Sequence, residues 1–224
     1  MIREGEDYLE WLSDDPAPRR LTHNGQEWTR FMDRLFIPGS TFDLSPSQVQ
    51  RVCEARLAGR GAFDASFHRD VQSVLCDELV RAANLGGTVL DFGAGDGRGY
   101  ESLVNAGFSR VVQVDASLAA LQENRSGERV CVNSRGPLPF ASGLFAAVQA
   151  LFVMHFDIPW EMRAELARVL SIDGCLVANV YGTHVQRHRS AMVRAGFRLS
   201  SSRPVAGRLG HFVETWVRAA SDLE

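Results

Sequence analysis

The chain has few of the residues that would commit it to several large protein classes. Cysteine is scarce, with four among 224 residues. Cys53, Cys76, Cys131 and Cys175 form no C-x-x-C pair, which argues against a zinc site. Cys131 and Cys175 lie in apolar, strand-like runs and read as small buried hydrophobes. No apolar run reaches the length of a membrane span. The polar, acidic stretch from Met1 to Glu10 lacks the pattern of a signal peptide. The expectation is a reduced, cytoplasmic chain with no membrane partner. Excess positive charge is missing too: a net charge of -3 and a pI near 6.1 argue against a nucleic-acid partner held through phosphates. Arg187, Arg189 and Arg194 lie close together, but they read as a solvated helix face. Repeats and low-complexity tracts are absent. What remains is ordinary globular composition, 45% hydrophobic and 23% charged, enough for one domain or one with an added cap.

Against that background one stretch stands out, Val89-Leu90-Asp91-Phe92-Gly93-Ala94-Gly95-Asp96-Gly97-Arg98-Gly99. An apolar run ends in a carboxylate, and glycine then takes every second position. Such glycines let the backbone turn sharply and approach a ligand closely. A helix beginning near Gly97 would aim its free N–H groups and positive dipole end at that ligand. A tight strand-to-helix turn without a ligand would look much the same. The spacing does not fit the dinucleotide fingerprint G-x-G-x-x-G. Read from Gly93 its last position falls on Arg98, and read from Gly95 on Tyr100.

The chain divides near Gly86-Gly87, into residues 1–85 and 86–224. After that point strand-like and helix-like segments alternate, as in a doubly wound α/β sheet. Strands are expected at Thr88–Asp91, Arg110–Asp115, Arg129–Asn133, Phe145–Phe152 and Gly174–Val180. Phe197–Ser201 and His211–Arg218 lack a helix between them and suggest a terminal antiparallel hairpin. Helices are expected at Gly97–Ala106, Ser117–Asn124, Trp160–Leu170 and His184–Ala195. Before Gly86, Val49–Ala58 and Phe67–Ala83 look helical, with Ser45 as N-cap, Gln48 completing a capping box and Gly59 as a stop. The expectation is a helical N-terminal cap. Its Trp11, Trp28, Phe31, Met32, Leu35 and Phe36 would form a lid over substrate or pack on the open sheet edge.

A second carboxylate, Asp115, ends the apolar run Val111-Val112-Gln113-Val114 about 20 residues after the glycine loop, where a ribose-binding acid stands in nucleotide-binding α/β folds. Capping the next helix is the plainer role, but Ser117 can do that. Together with Leu138-Pro139-Phe140, followed by Phe145, and with Arg168-Val169-Leu170 before Gly174, the order and spacing over Thr88 to Tyr181 resemble class I S-adenosylmethionine-dependent methyltransferases of the small-molecule type. The resemblance implies a Rossmann-like, doubly wound seven-stranded sheet with a terminal antiparallel hairpin. It implies S-adenosylmethionine as cofactor and S-adenosylhomocysteine as product. Asp91, Gly93, Ala94 and Gly95 would line the methionine moiety. Asp115 and Ala116 would stand at the ribose, and Asn133, Ser134 and Leu138 would border the adenine. Three positions depart from the family pattern. Ser134 replaces the usual adenine-contacting Asp, Ala146 replaces the Asp after the fourth strand's Phe, and Ile172-Asp173 replaces Pro-Gly.

Methyl transfer from an activated sulfonium needs mainly positioning, with a base only when the acceptor is protonated. Acceptor contacts should come from the carboxyl ends of the fourth and fifth strands, where His155 and Tyr181 follow apolar runs. His155 is the candidate acid/base, or a histidine packed near a helix start. Tyr181 could bind acceptor or cap the sheet. His184 and His188 are spaced i, i+4 without a third ligand, so no metal is expected and both read as solvated. The function expected is methyl transfer to a small molecule in a biosynthetic pathway. The alternatives are an elimination or cyclisation on the same fold, and a silent chain binding an enzyme through Trp11, Trp28, Phe31 and Phe36. A protein partner or a homodimer fits either alternative.

Overall fold

A computed structural model describes residues 1–32, 34–57, 65–182 and 184–219. They form two compact units, Met1–His68 and Arg69–Glu224, a division earlier than the one expected at Gly86-Gly87.

The first unit is not the helical cap that the sequence suggested. Strands β1 (Ile2–Glu4), β2 (Leu9–Trp11), β3 (Arg20–His23), β4 (Gln26–Met32) and β5 (Leu35–Pro38) form an antiparallel sheet in the order β1-β2-β5-β4-β3. Asn24 and Gly25 both have positive φ, at 51° and 77°. They make the two-residue turn joining β3 to β4, and an Asn-Gly pair is the strongest short-range hairpin signal. Leu35, Phe36 and Ile37 are buried, while Trp11, Trp28 and Phe31 are half-buried. Phe36 is therefore core and not an exposed anchor. Helix α1 (Pro46–Ala55) follows with the expected capping box: the Ser45 N–H donates to Gln48 Oε1 at 2.8 Å and the Gln48 N–H to Ser45 Oγ at 3.4 Å. Ala58 and Gly59 lie outside the described residues.

In the second unit, helix α2 (Ala65–Ala82) precedes β6 (Thr88–Phe92), α3 (Tyr100–Asn105), β7 (Arg110–Asp115), α4 (Leu118–Glu123), β8 (Glu128–Cys131), β9 (Phe145–Ala150), α5 (Trp160–Val169), β10 (Leu170–Tyr181), α6 (Val185–Arg194), β11 (Phe197–Pro204) and β12 (His211–Arg218). The seven strands are ordered β11-β12-β10-β9-β6-β7-β8. β10-β9-β6-β7-β8 are parallel, and β12 runs antiparallel to both β10 and β11. Continuous apolar runs such as Val111-Val112 and Leu176-Val177-Ala178 suit strands covered on both faces. Leu90, Val112, Val148 and Leu176 join Leu166, Met192 and Trp216 in one core.

α2 is tied to the terminal hairpin through buried Glu78, which accepts from Ser201 Oγ at 2.8 Å and pairs with Arg203 at 2.6 Å. Strand order reverses between β6 and β9, and ligands of open α/β sheets bind at the carboxyl ends of the strands beside such a switch point. Among the described residues, no helix is long and apolar enough to cross a membrane.

Candidate functional site

The glycine loop leaves β6 at the switch point. Gly93, Gly95 and Gly97 have φ of 76°, 55° and 82°, the left-handed region that glycine enters without penalty. The Gly93 and Ala94 N–H groups donate to the Val114 carbonyl at 2.9 and 3.0 Å, fastening the loop to β7. The Gly97 N–H donates to the Ala94 carbonyl and the Tyr100 N–H to the Gly97 carbonyl. The helix expected near Gly97 thus begins only at Tyr100 and is six residues long. A backbone-bonded loop, not a helix terminus, therefore occupies the end of β6.

Asp115 is bonded to that loop. Its Oδ2 accepts from the Gly95 N–H at 2.9 Å and its Oδ1 from the Ser117 N–H at 2.8 Å. Ser117 Oγ caps α4 by accepting from the Ala120 N–H at 3.2 Å. Asp115 is therefore not needed as the cap.

Asp91 sits beneath the loop, 3% exposed. Gln149 Nε2 donates to its Oδ1 at 2.9 Å, and Gln72 Nε2 in turn donates to Gln149 Oε1 at 3.1 Å. Asp91 Oδ2 is buried without a hydrogen-bond partner among the described residues. Burial pushes this carboxyl up to about 6, against the pull of Gln149 and helped by the nearby negative charge of Asp115. A Cβ on Gly99 would stand 2.6 Å from Gln149 Nε2 and 3.2 Å from Asp91 Oδ2. Glycine there leaves room for the buried pair.

At the far side, Ala116 and the Asn133-Ser134 pair follow the neighbouring strands β7 and β8. The Val132 N–H donates to the Asp115 carbonyl at 3.0 Å. Asn133 is exposed, and its Oδ1 accepts from the Arg135 N–H at 2.9 Å. Cys131, expected to be buried, is exposed beside Ala116; Cys175 is buried as expected. Leu138 is buried and held by a clamp from α5. Its N–H donates to Glu165 Oε2 at 2.7 Å, and Arg168 donates to the carbonyls of Leu138 and Phe140 at 3.0 and 2.8 Å. Arg168 is also paired with Glu165 at 2.7 Å. The two segments that looked like separate motifs in the sequence are thus one hydrogen-bonded assembly.

His155 and Tyr181 come together, with ring centroids 5.2 Å apart, and His211 packs on the other side of Tyr181 at 4.5 Å. Tyr181 and His211 are cross-strand partners at the end of β10 and the start of β12. His155 is 4% exposed. Burial, with His184 and His211 nearby, pushes it down to about 3. It is therefore neutral at physiological pH and a weak base. Burial also holds the Tyr181 hydroxyl well above the usual phenol value.

His188 is not solvated, as the sequence had suggested, but buried with its ring 5.6 Å from Trp216 and its Nε2 3.8 Å from Glu214. Arg189, read as part of a solvated face, pairs with that buried Glu214 at 2.7 Å. Among the described residues no cluster of three or more His, Cys, Asp or Glu could hold a metal ion. Sequence reasoning missed Gln149, Asn179 and His211. The signal for the first two was an amide inside an apolar strand, since buried polar groups are paired. Nothing local marked His211, whose place follows from strand pairing.

Residues 90–178 match the family described as "Methyltransferase domain". No curated protein matches the chain by sequence. Among solved structures, a methyltransferase from Haloferax volcanii in complex with the Trm112 methyltransferase activator is 17% identical, with a TM-score of 0.59, over 75% of this chain and 97% of that one. The [4+2]-cyclase SpnF is 13% identical, with a TM-score of 0.61, over 81% and 99%. An S-adenosylmethionine-dependent methyltransferase from Aquifex aeolicus is 17% identical, with a TM-score of 0.54, over 70% and 100%. A glycine loop tied to a carboxylate on the next strand, inside a seven-stranded sheet with a terminal antiparallel hairpin, agrees with that match: residues 90–178 resemble a methyltransferase domain, and the second unit shares the fold of these solved structures.

Proposed function

We propose that the second unit binds S-adenosylmethionine at the β6–β7 cradle and transfers its methyl group to a small-molecule acceptor, in a biosynthetic role and a reducing cytoplasm. The observation that carries this reading is the bond from the Gly95 N–H to Asp115 Oδ2. It joins the backbone turn for one end of a nucleoside cofactor to the carboxylate for its ribose. A carboxylate offers about four acceptor positions, and the two backbone donors orient Asp115 toward a vicinal diol. Asp91, raised and without a partner on Oδ2, suits the cationic end of the cofactor's methionine moiety, with Gly93, Ala94 and Gly95 supplying backbone at close range. Leu138 offers an apolar border for the adenine. Ala116, Asn133 and Ser134 stand between them.

The cofactor supplies an already activated methyl group, so the protein's part is alignment and exclusion of water. His155 and Tyr181 are the acceptor-facing pair in this reading. His155, held neutral, fixes the Tyr181 ring and does not take up the acceptor's proton as a free histidine would. The four cysteines are free, which suits a reducing compartment. The Haloferax methyltransferase, solved with an activator protein, supports a protein partner as an alternative to a homodimer.

Isothermal titration with S-adenosylhomocysteine tests the reading. Binding by the intact chain, weakened by Asp115→Ala, is the expected result; no binding at millimolar ligand removes it. A second reading keeps the fold and drops the methyl transfer, favoured by the similarity to a [4+2]-cyclase and by Ser134 at the adenine end. In that case Asp115→Ala would leave turnover of the true substrate unchanged.

A further inference from the structure

The turn after β9 holds a bulky residue in a conformation that glycine normally takes. Phe152 has a φ of 58°, where an L side chain is strained. Its only non-glycine companion among the described residues is Asn24, a residue that a hairpin turn of this kind favours. The Phe152 N–H donates to Asn179 Oδ1 at 2.5 Å. Asn179 lies on β10, fully buried, and its Nδ2 has no hydrogen-bond partner among the described residues. A half-satisfied buried amide is costly to keep. Strain on one side of this bond and an unpaired donor on the other mark a place where geometry is held against stability. The next residue closes on the glycine loop: a Cβ on Gly93 would collide with Val153 Cγ2.

We infer that Asn179 is a positioning residue for the glycine loop. By accepting the Phe152 N–H it holds the left-handed turn, and that turn seats Val153 against Gly93. The loop is thereby fixed from two sides, by Val114 on β7 through hydrogen bonds and by Val153 after β9 through contact. This rests on the proposed binding of S-adenosylmethionine by that loop, on which Asn179 acts through Phe152 and Val153. Leucine at position 179 would fill a similar volume without accepting the bond. Phe152 would then relax toward negative φ and carry Val153 off Gly93.

The test is a double-mutant cycle read by isothermal titration with S-adenosylhomocysteine on the full chain. Asn179→Leu should weaken binding about tenfold, the scale of one released strained residue. In a Phe152→Gly background, where the left-handed turn needs no support, the same substitution should weaken it less than about twofold. An equal loss in both backgrounds, or none in the first, overturns the inference. Phe152→Val against Phe152→Asn makes the comparison with Asn179 intact. The asparagine variant tolerates positive φ and should bind about tenfold tighter than the valine variant; equal affinities overturn the inference as well. If the unaltered chain fails to bind S-adenosylhomocysteine, the cofactor reading itself falls and takes this inference with it.

Discussion

Gln149 on β9 donates its amide to Asp91 on β6 across 2.9 Å, at a point where the two residues are register partners in neighbouring parallel strands. This one bond joins the middle of the sheet to the base of the glycine loop. It also decides how costly a buried carboxylate is, because the Gln149 hydrogen bond draws Asp91 down while burial and Asp115 push it up.

Asp91→Asn should therefore make the free protein more stable at neutral pH. The Asp91 carboxyl is raised to about 6, above its ordinary value, so its contribution favours the fold below the usual carboxylate range. That contribution is lost as pH rises through 6, by about 3 kcal/mol in all. Urea unfolding at pH 8 should show Asp91→Asn ahead of the parent, with the gap closing near pH 4. A gap independent of pH would contradict this account of Asp91. The same variant should bind S-adenosylhomocysteine more weakly.

Gly99→Ala should disturb the site without breaking the fold. The added methyl lies 2.6 Å from Gln149 Nε2, and the Gly99 φ of -78° is open to alanine. Gln149 must swing away from Asp91, raising the Asp91 carboxyl further. The check is the pH at which S-adenosylhomocysteine affinity falls off, expected to move upward, with the melting temperature lowered by only a few degrees.

Arg168→Ala removes the donors to the Leu138 and Phe140 carbonyls and the partner of Glu165. A loss of about 2 kcal/mol is expected. Arg168→Lys should recover little of it, since one ammonium cannot serve two carbonyls and a carboxylate in a fixed fork. Chemical denaturation of the three proteins decides the point; full recovery by lysine would mean that charge alone mattered.

His155 should show no titration between pH 5 and 8 in its ring resonances, because its value is pushed down to about 3. A histidine lowered in the fold takes up its proton more readily once unfolded. Stability from His155 is thus present above about 6.5 and is lost as pH falls toward 3. His155→Phe should move the acid-unfolding midpoint to lower pH.

The second unit was largely legible because its signals are local. Apolar runs mark Thr88–Phe92 and Arg110–Asp115, alternating glycines mark the turn between them and α3, and Ser117 marks the start of α4. Each of these is a backbone preference that neighbouring residues suffice to express. The first unit was misread for an equally physical reason: its strands are three to seven residues long, too short for a period to show, and the Asn24-Gly25 turn was the one clear sign of a sheet.

What the sequence determined by itself was the loop, the two carboxylates and the order of the elements, since these follow from conformational freedom, charge and hydrophobic periodicity along the chain. Only the tertiary structure decided that Asp91 is buried against Gln149 and that Arg168 clamps Leu138. It also decided that His155 is neutral beside Tyr181 and His211, and that Asn179 holds Phe152. Each of these depends on residues far apart in the chain meeting in a water-poor interior. There desolvation and hydrogen bonding, which no local pattern encodes, set the protonation and the geometry.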